Sequence, residues 1–439
     1  MIGIELLVVL AAIYLGARIG SIGIGFAGGL GVLVLTWGLG MPIPSDQLVT
    51  YLPWDVIMII ASVICAIACM QLAGGMDYLV HLAEKALRKN PKHITFAAPV
   101  VTYLMTMLAG TGHTAFSTLP VIAEVAKEQG IRPSRPLSIA VVASQIAITA
   151  SPISAAVVAF SGMLEPLGVD YLTLLAICIP SSFIACLLGA FIANLLGKPL
   201  DQDEVYLERK AKGLIKLRGT SQVEIKPYAK LSVGIFVASI VAVMAYATAI
   251  SGNVGLISNP PIPRDGAIMG IMLSAATLMV LFCKLDAAQI TNMPTFKSGM
   301  SACICVLGVA WLGNVFVKGN MVEIQAFAGD LLSQYSWLLA VVLFFSSMLL
   351  YSQGATTKAL MPAALALGVS PLAAIASFAA VSALFVLPTY PTLLAAVEMD
   401  DTGSTRIGKA VFNHPFFIPG VATIAMAVAL GFFFGGLIL

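Results

Sequence analysis

The sequence predicts an all-α polytopic membrane protein made of two inverted-topology repeats, each with a re-entrant hairpin and a broken transmembrane helix. Of the 439 residues, 59% are apolar and only 10% are charged, whereas soluble domains carry about 25% charged residues. Apolar runs recur along the whole chain, and runs of about 20 residues can cross roughly 30 Å of hydrocarbon. Each half also contains a hairpin and a long apolar helix that glycine or proline interrupts, and these interruptions occupy corresponding places in the two halves.

The apolar runs define the predicted spans. In chain order they are 2–17, 20–39, 54–74, 135–165, 170–196, 230–250, 265–284, 297–317, 371–400 and 415–439. No basic segment precedes the first span, so we interpret it as retained and not as a signal peptide. Glycines within 20–31 recur at the Gly-x-x-x-Gly spacing, which predicts close packing against a neighbouring helix. The seven cysteines lie in apolar spans, where we expect small buried side chains and neither a metal site nor disulfides.

The distribution of positive charge predicts the orientation. With the N-terminus outside, the 23 Lys and Arg residues fall on the cytoplasmic side except for Arg264, Lys318 and Lys358. The positive-inside rule favours this arrangement, and both termini are then periplasmic. The polar stretch 197–229 is interpreted as a cytosolic linker between a first half, 1–196, and a second half, 230–439. A net charge of only +2 gives no reason to expect a nucleic-acid partner.

Each half contains a hairpin followed by a broken helix. The four elements are 93–129, 135–165, 335–369 and 371–400. When the first hairpin is laid on the second, Gly112 meets Gly354 and Pro120 meets Pro362 at one offset. The charge distribution places the ends of the two hairpins on opposite sides, which makes the repeat inverted. Paired interrupted helices in two such halves indicate a binding site near the bilayer midplane.

The polar residues at these interruptions are the candidate site. Four helix starts, after Gly112, Pro152, Gly354 and Pro391, expose backbone N–H groups with partial positive charge. They suit a ligand with two anionic ends. The neighbouring side chains are mostly hydroxyls and amides: Thr111, Thr114, Ser117, Ser151, Ser154, Ser352, Gln353, Thr356, Thr357, Thr389, Tyr390 and Thr392. His113 and Lys358 are the cationic candidates at this depth, where a charge is expensive and indicates function.

Each candidate has a structural alternative. A membrane-helix hydroxyl often bonds to a preceding carbonyl, Lys358 could extend along its hairpin towards the interface, and His113 could be a packed, hydrogen-bonded side chain. Tyr390 could be a core residue. The interruptions hold no Asp or Glu, whereas a cation pump is expected to bury acids there.

An enzyme is not predicted. His81, His93 and His414 fall at predicted interfaces and pair with no Ser or Cys nucleophile. Asp400 and Asp401, beside Glu398, are expected in a solvated turn at a span end. No cofactor or metal is expected.

Several short motifs resemble the anaerobic C4-dicarboxylate exchanger family (Dcu) over essentially the whole chain. They are Gly16–Arg18, Ala109–His113, Arg132–Pro136, Ala150–Pro152, Leu387–Pro391 and Asn413–His414. The second hairpin tip, Tyr351–Pro362, is more similar to the DcuA branch than to the DcuB branch because it contains Lys358. Gly354 stands where that branch is expected to have Ala, a departure that would loosen the tip.

The resemblance implies a secondary transporter that exchanges fumarate, succinate, malate and aspartate across the bacterial inner membrane by alternating access. It also implies kinship with an elevator-type superfamily of homodimers, in which a hairpin-bearing domain moves against a scaffold. We expect spans 20–74 and 265–317 to form that scaffold. The alternatives are a sodium- or proton-coupled dicarboxylate symporter of the same architecture, a passive anion channel, and a sensing role through the 197–229 segment.

Overall fold

The structure, a computed structural model, describes the chain except for residues 1, 20–21, 42, 53, 216–224, 251–255, 258, 321, 324–334, 351, 389 and 409–411. All regular secondary structure in the described part is helical. The fold-class prediction is confirmed at this level. The sequence also predicts a short amphipathic stretch over 321–334, just before the second hairpin, and this stretch lies almost wholly outside the described residues.

The first half comprises ten helices and the polar segment adds one. They are α1 (Ile2–Ile19), α2 (Gly23–Leu33), α3 (Ser45–Leu48), α4 (Trp54–Leu72), α5 (Gly75–Lys89), α6 (Ile94–Ala109), α7 (Ala115–Glu128), α8 (Ser134–Ile146), α9 (Ala155–Leu164), α10 (Tyr171–Leu195) and α11 (Glu204–Ala211). A π-helical turn, Val34–Gly38, continues α2, and a 3₁₀ segment, Ala147–Ala150, continues α8.

The described part of the second half adds eight helices. They are α12 (Ala229–Ala249), α13 (Arg264–Phe282), α14 (Pro294–Gly319), α15 (Leu338–Leu350), α16 (Gln353–Ala366), α17 (Pro371–Ser377), α18 (Pro391–Met399) and α19 (Phe417–Ile438). A 3₁₀ segment, Phe378–Phe385, continues α17. Both broken helices therefore tighten into 3₁₀ geometry before their interruption.

The surface of several helices is suited to lipid. Among the described residues, five helical segments are long and apolar enough to cross a membrane: 134–167, 171–202, 229–249, 264–282 and 417–438. The apolar window of the first is 94% buried, whereas those of α13 and α19 are only 28% buried. Large apolar side chains such as Trp37 and Leu195 are more than 80% exposed. Such continuous apolar exposure indicates a multi-pass membrane protein, with the broken segment α8–α9 enclosed by its neighbours.

Among the described residues, three larger apolar cores organise the helices. The largest joins α6–α10 to α15–α19. A second joins α4, α12 and α13, and a third joins α1, α2 and α14. The predicted close packing of the glycine-rich segment is confirmed, because a Cβ on Gly25 would sit 2.3 Å from the carbonyl oxygen of Ile304. The interrupted helices thus share one core, and most helices of the remaining spans lie in the other two.

The polar segment after α10 is anchored to the largest core by ion pairs. Asp203 accepts from Arg132 at 2.5 Å and from Arg406 at 3.2 Å, and Arg209 donates to the Asp401 carbonyl at 3.0 Å. The solvated turn predicted around Asp400 is wrong, because Asp400 is buried. Its carboxylate bonds within the loop that follows α18, to Thr402, Ser404 and Thr405.

Candidate functional site

The first hairpin reverses the chain at a glycine. α6 ends at Gly110, whose φ of +66° is the left-handed conformation that glycine adopts without strain. A 3₁₀ turn, Gly112–Thr114, then leads into α7. Arg88, near the end of α5, pairs with Glu128 at the end of α7 at 2.6 Å, and the turn Pro91–His93 before α6 also packs against α7. The two ends of the hairpin therefore lie together, with the turn at the far end.

The first broken helix contacts the turn of that hairpin. Ser154 caps α9 by accepting from Val157 N, and its hydroxyl donates to the Ile148 carbonyl at 2.7 Å. Ser151 donates to the Met107 carbonyl on α6 at 2.8 Å. These bonds satisfy backbone groups that the interruption would otherwise leave unpaired.

The second half repeats this arrangement with different residues. Ser352 lies between α15 and α16 and caps α16 by accepting from Ala355 N at 3.2 Å. Ser347 on α15 supports the second broken helix, since its hydroxyl donates to the Ala380 carbonyl at 3.0 Å and accepts from Ala383 N at 3.2 Å. The two 3₁₀ segments of the broken helices pack against each other.

Both hairpin turns and the second interruption meet at Gln145, at the end of α8. Its buried amide donates to Thr392 Oγ1 at 3.1 Å and to Ser144 Oγ at 3.2 Å. Gln353 donates through Nε2 to the Gln145 carbonyl at 3.2 Å and to its Oε1 at 3.1 Å. Gly112 lies against the same side chain, because a Cβ there would sit 3.2 Å from Gln145 Nε2. One amide thus links residues of the two halves.

The helix starts at this cluster differ in how they are capped. α9 and α16 are closed by their own serines, Ser154 and Ser352. The N-cap residues of α7 and α18, Thr114 and Tyr390, do not cap these helices with their own side chains. Both starts lie close to Gln145, beside Gly112 and at Thr392, as does the capped start of α16 at Gln353. Uncapped N–H groups and the helix dipole favour an anion, so each half offers one anion-binding helix start.

Five of the predicted hydroxyls donate to carbonyl groups in the described structure, those of Thr114, Ser151, Ser154, Thr356 and Thr357. Thr356 and Thr357 donate to carbonyls of their own helix at 2.7 Å. Thr114 Oγ1 lies 3.0 Å from Thr106 Oγ1 and 3.2 Å from the carbonyl of Thr111. A hydroxyl that donates to a carbonyl cannot give the same proton to a carboxylate. In this conformation these groups stabilise the interruptions.

The remaining predicted residues are placed as follows. Gly354 faces the start of α9, since a Cβ there would lie 3.7 Å from Ala155 Cβ. The Pro152 carbonyl accepts a hydrogen bond from the Tyr171 hydroxyl, Tyr390 is buried in the largest core, and Lys358 is half-buried on α16. Thr389 and the side chains of His113 and Ser117 lie outside what the structure describes.

Several polar residues of the site were not predicted. Ser144 and Gln145 lie in a regular helix, away from any Gly or Pro. Ser377 and Ser382, on the second broken helix, are fully buried, and their hydroxyls have no hydrogen-bond partner among the described residues. A lone amide within the apolar run of α8 was a usable signal, because burying an unpaired amide is costly. No cluster of His, Cys, Asp or Glu that could hold a metal occurs in the described part.

Comparisons with known proteins agree with the motifs. The whole chain, residues 1–439, matches the model of a family described as anaerobic C4-dicarboxylate membrane transporters. The C4-dicarboxylate transporter DcuA of Wolinella succinogenes is 68% identical over 432 residues, which are 98% of this chain and 98% of that protein. DcuA of Escherichia coli K12 is 58% identical over 440 residues, 100% of both chains. DcuB of Escherichia coli O6:H1 is 35% identical over 447 residues, 99% of this chain and 98% of that protein.

A solved structure shares the fold. The YdaH transporter of Alcanivorax borkumensis, described as having an unusual topology, superposes with a TM-score of 0.60 at 13% identity, over 95% of this chain and 98% of that chain. The resemblance predicted from the motifs is confirmed, including the greater similarity to DcuA than to DcuB. The relatives are named transporters and not enzymes, as the sequence predicted. The chain belongs to the anaerobic C4-dicarboxylate membrane transporter family.

Proposed function

We propose that this protein exchanges C4-dicarboxylates, namely fumarate, succinate, malate and aspartate, across the bacterial inner membrane by alternating access. The observation that carries the proposal is the meeting of the two halves at Gln145, where Gln353 and Thr392 of the second half bond to an amide of the first. This cluster lies beside two uncapped helix starts. The names of the relatives support the substrate class.

The two uncapped helix starts suit the two ends of a dicarboxylate. One carboxylate would meet the N–H groups at the start of α7. The other would meet the N–H of Thr392 at the start of α18, where Pro391 has no N–H and Leu393 N donates to the Tyr390 carbonyl. Gln145 contacts residues at both starts. Its amide donates to Thr392 and Ser144, so it would reach a carboxylate by exchanging one of these bonds. Neutral donors hold carboxylates without a fixed buried charge, so the loaded site keeps a moderate desolvation cost. Lys358, on the second hairpin, would add one positive charge.

The same order of elements in the two halves supports an inverted repeat. Each half has a two-helix hairpin, then a helix that turns 3₁₀ and breaks, and then a second arm. The shared core of these elements supports a substrate-carrying body that moves against the other two cores. The positive-inside distribution supports periplasmic termini. We include a homodimer in this proposal because the exposed apolar faces outside the shared core offer room for a second copy.

Transport in proteoliposomes tests the proposal. Labelled fumarate uptake is measured in sodium-free buffer with no pH gradient, with and without unlabelled succinate inside. Exchange predicts saturable uptake that requires internal dicarboxylate. Uptake that needs sodium or a proton gradient, and proceeds into empty vesicles, would establish the symporter instead. Non-saturating flux would establish a channel.

The role of Lys358 has its own test. Lys358→Ala is expected to raise the half-saturating fumarate concentration about tenfold, because one opposite charge near a carboxylate contributes on the order of 1–2 kcal/mol in a partly buried setting. Lys318→Ala, which removes an exposed lysine at the end of α14, is the matched control. If both variants transport like the parent protein, Lys358 does not belong to the site.

A further inference from the structure

A basic cavity lies away from the Gln145 cluster, where α8 begins, α10 ends and the chain enters α19. Its volume is about 290 Å³, close to the lower end of the range of about 300–1,000 Å³ found for ligand pockets. Arg132, Arg135 and Arg406 line it together with Asn413 and His414. It unites Arg132–Pro136 with Asn413–His414, two motifs that the proposed transport site does not use.

The arginines are held in place by backbone carbonyls. Arg135 donates to the carbonyls of Leu196 at 2.9 Å and Gly197 at 3.0 Å. Arg132 donates to the Lys198 carbonyl at 3.1 Å. The C-terminal end of α10 therefore fixes two guanidinium groups before any ligand binds. Such preorganised donors lose little side-chain entropy when they bind an anion.

Positive charge exceeds negative charge at this cavity. Arg132 and Arg406 share the carboxylate of Asp203, and Arg135 bonds only to carbonyls in the described structure. The described residues that line the cavity include no Asp or Glu. His414 is 7% exposed, and its Nδ1 is buried without a hydrogen-bond partner among the described residues. Nε2 of His414 donates to the Val386 carbonyl at 3.1 Å, so Nδ1 is an acceptor and the ring adds no charge. Three guanidiniums against one carboxylate therefore leave the cavity with an excess of positive charge.

We propose that this cavity binds the phosphate group of an anionic phospholipid. Arginine forks match the oxygens of a phosphate, and basic pockets between membrane helices on the cytoplasmic side are suited to anionic headgroups. The cavity wall also includes Ile418, which is 55% exposed, and the neighbouring Leu195 is 82% exposed. An apolar surface beside the arginines fits the acyl chains of a lipid. Free phosphate shares the headgroup chemistry but leaves this surface uncovered.

Lipid binding to the purified full-length protein in detergent tests the assignment. Native mass spectrometry titrates phosphatidylglycerol and phosphatidylcholine, and thermal unfolding is followed in parallel with inorganic phosphate. Tighter binding of phosphatidylglycerol than of phosphatidylcholine is expected, with a loss of about tenfold or more in Arg135→Gln. Arg406→Gln, which changes a half-exposed side chain, is the second variant in case the first does not fold. Lys212→Gln, which changes an exposed side chain just after α11, removes the same charge elsewhere and should bind like the parent.

Three results would overturn the lipid assignment. The first is equal affinity of the parent protein for the two lipids, and the second is undiminished phosphatidylglycerol binding by both arginine variants. The third is full thermal protection by inorganic phosphate alone that disappears in Arg406→Gln, which would assign the site to a free anion. The assay measures binding and not transport, so its failure leaves the exchange proposal untouched.

Discussion

A single methyl group at the first hairpin turn tests the geometry of the site. In Gly112→Ala the new Cβ would sit 3.0 Å from the carbonyl oxygen of Ser144 and 3.2 Å from Gln145 Nε2. The carbonyl belongs to α8 and cannot yield freely, so the methyl must displace the Gln145 amide or the turn. Overpacking of this kind costs about 1–3 kcal/mol. If the methyl group destabilises the conformation that binds substrate by this amount, the affinity for fumarate drops about 5- to 150-fold.

The second hairpin turn provides the matched control. In Gly354→Ala the nearest atom to the new Cβ is Ala155 Cβ at 3.7 Å, an ordinary van der Waals contact. Alanine also favours a helix over glycine by roughly 0.5–1 kcal/mol. Counterflow uptake of labelled fumarate, normalised to reconstituted protein, gives the half-saturating concentration of each variant. A large rise is expected for Gly112→Ala and none for Gly354→Ala. Equal effects of the two variants, or none for either, would refute the placement of Gln145 between the two turns.

Further predictions concern the contact between the halves and the polar end of the molecule. Gln145→Leu and Gln353→Leu should be coupled by about 1 kcal/mol in a double-mutant cycle of fumarate affinity, since their amides bond to each other; additive effects would show that they act separately. Asp203→Asn should destabilise the fold by about 3 kcal/mol, because it leaves the buried guanidinium of Arg132 without its carboxylate; an unchanged Tm would contradict this. Burial lowers the pKa of His414 below its ordinary value of 6.5, so the folded chain resists a proton that the unfolded chain takes up. The contribution of the neutral imidazole to stability is present above pH 6.5 and is lost as the pH falls below that value. His414→Gln should flatten the Tm against pH over that window, and an unchanged slope would assign the effect to another group.

The sequence predicted the features that follow from local chemistry. Composition and apolar length indicated a membrane protein, and the motifs indicated the family. The first hairpin turns beside the predicted Gly112, because Gly110 adopts a positive φ there. The second broken helix resumes at Pro391, which begins α18. Each of these positions is decided by one or two residues and their immediate neighbours, so a single sequence is enough to find them.

Long-range contacts were beyond the sequence. Gln145 sits in regular helix, and its partner Gln353 comes from the other half of the chain, so no local pattern joins them. Whether a hydroxyl caps a helix or is available to bind a ligand also depends on packing. Ser352 caps α16. The turn at Asp400 was predicted to be solvated because it is acidic. It is buried because backbone N–H groups and hydroxyls within the same loop surround its carboxylate.

The difference between capped and uncapped helix starts gives a physical reason for the exchange that we propose. Ser154 and Ser352 satisfy the starts of α9 and α16 whether or not substrate is present. The N-cap residues of α7 and α18 supply no such side-chain bond. In the empty protein, the N–H groups there that have no backbone partner need water, although Leu393 N at α18 already donates to the Tyr390 carbonyl at 3.0 Å. Carrying unpaired or hydrated amides through an apolar midplane costs several kcal/mol for each group. Two carboxylates would replace that water with charge-assisted hydrogen bonds. The loaded protein would then cross between its two conformations far more readily than the empty one, and a carrier that reorients only when loaded must return with a second dicarboxylate.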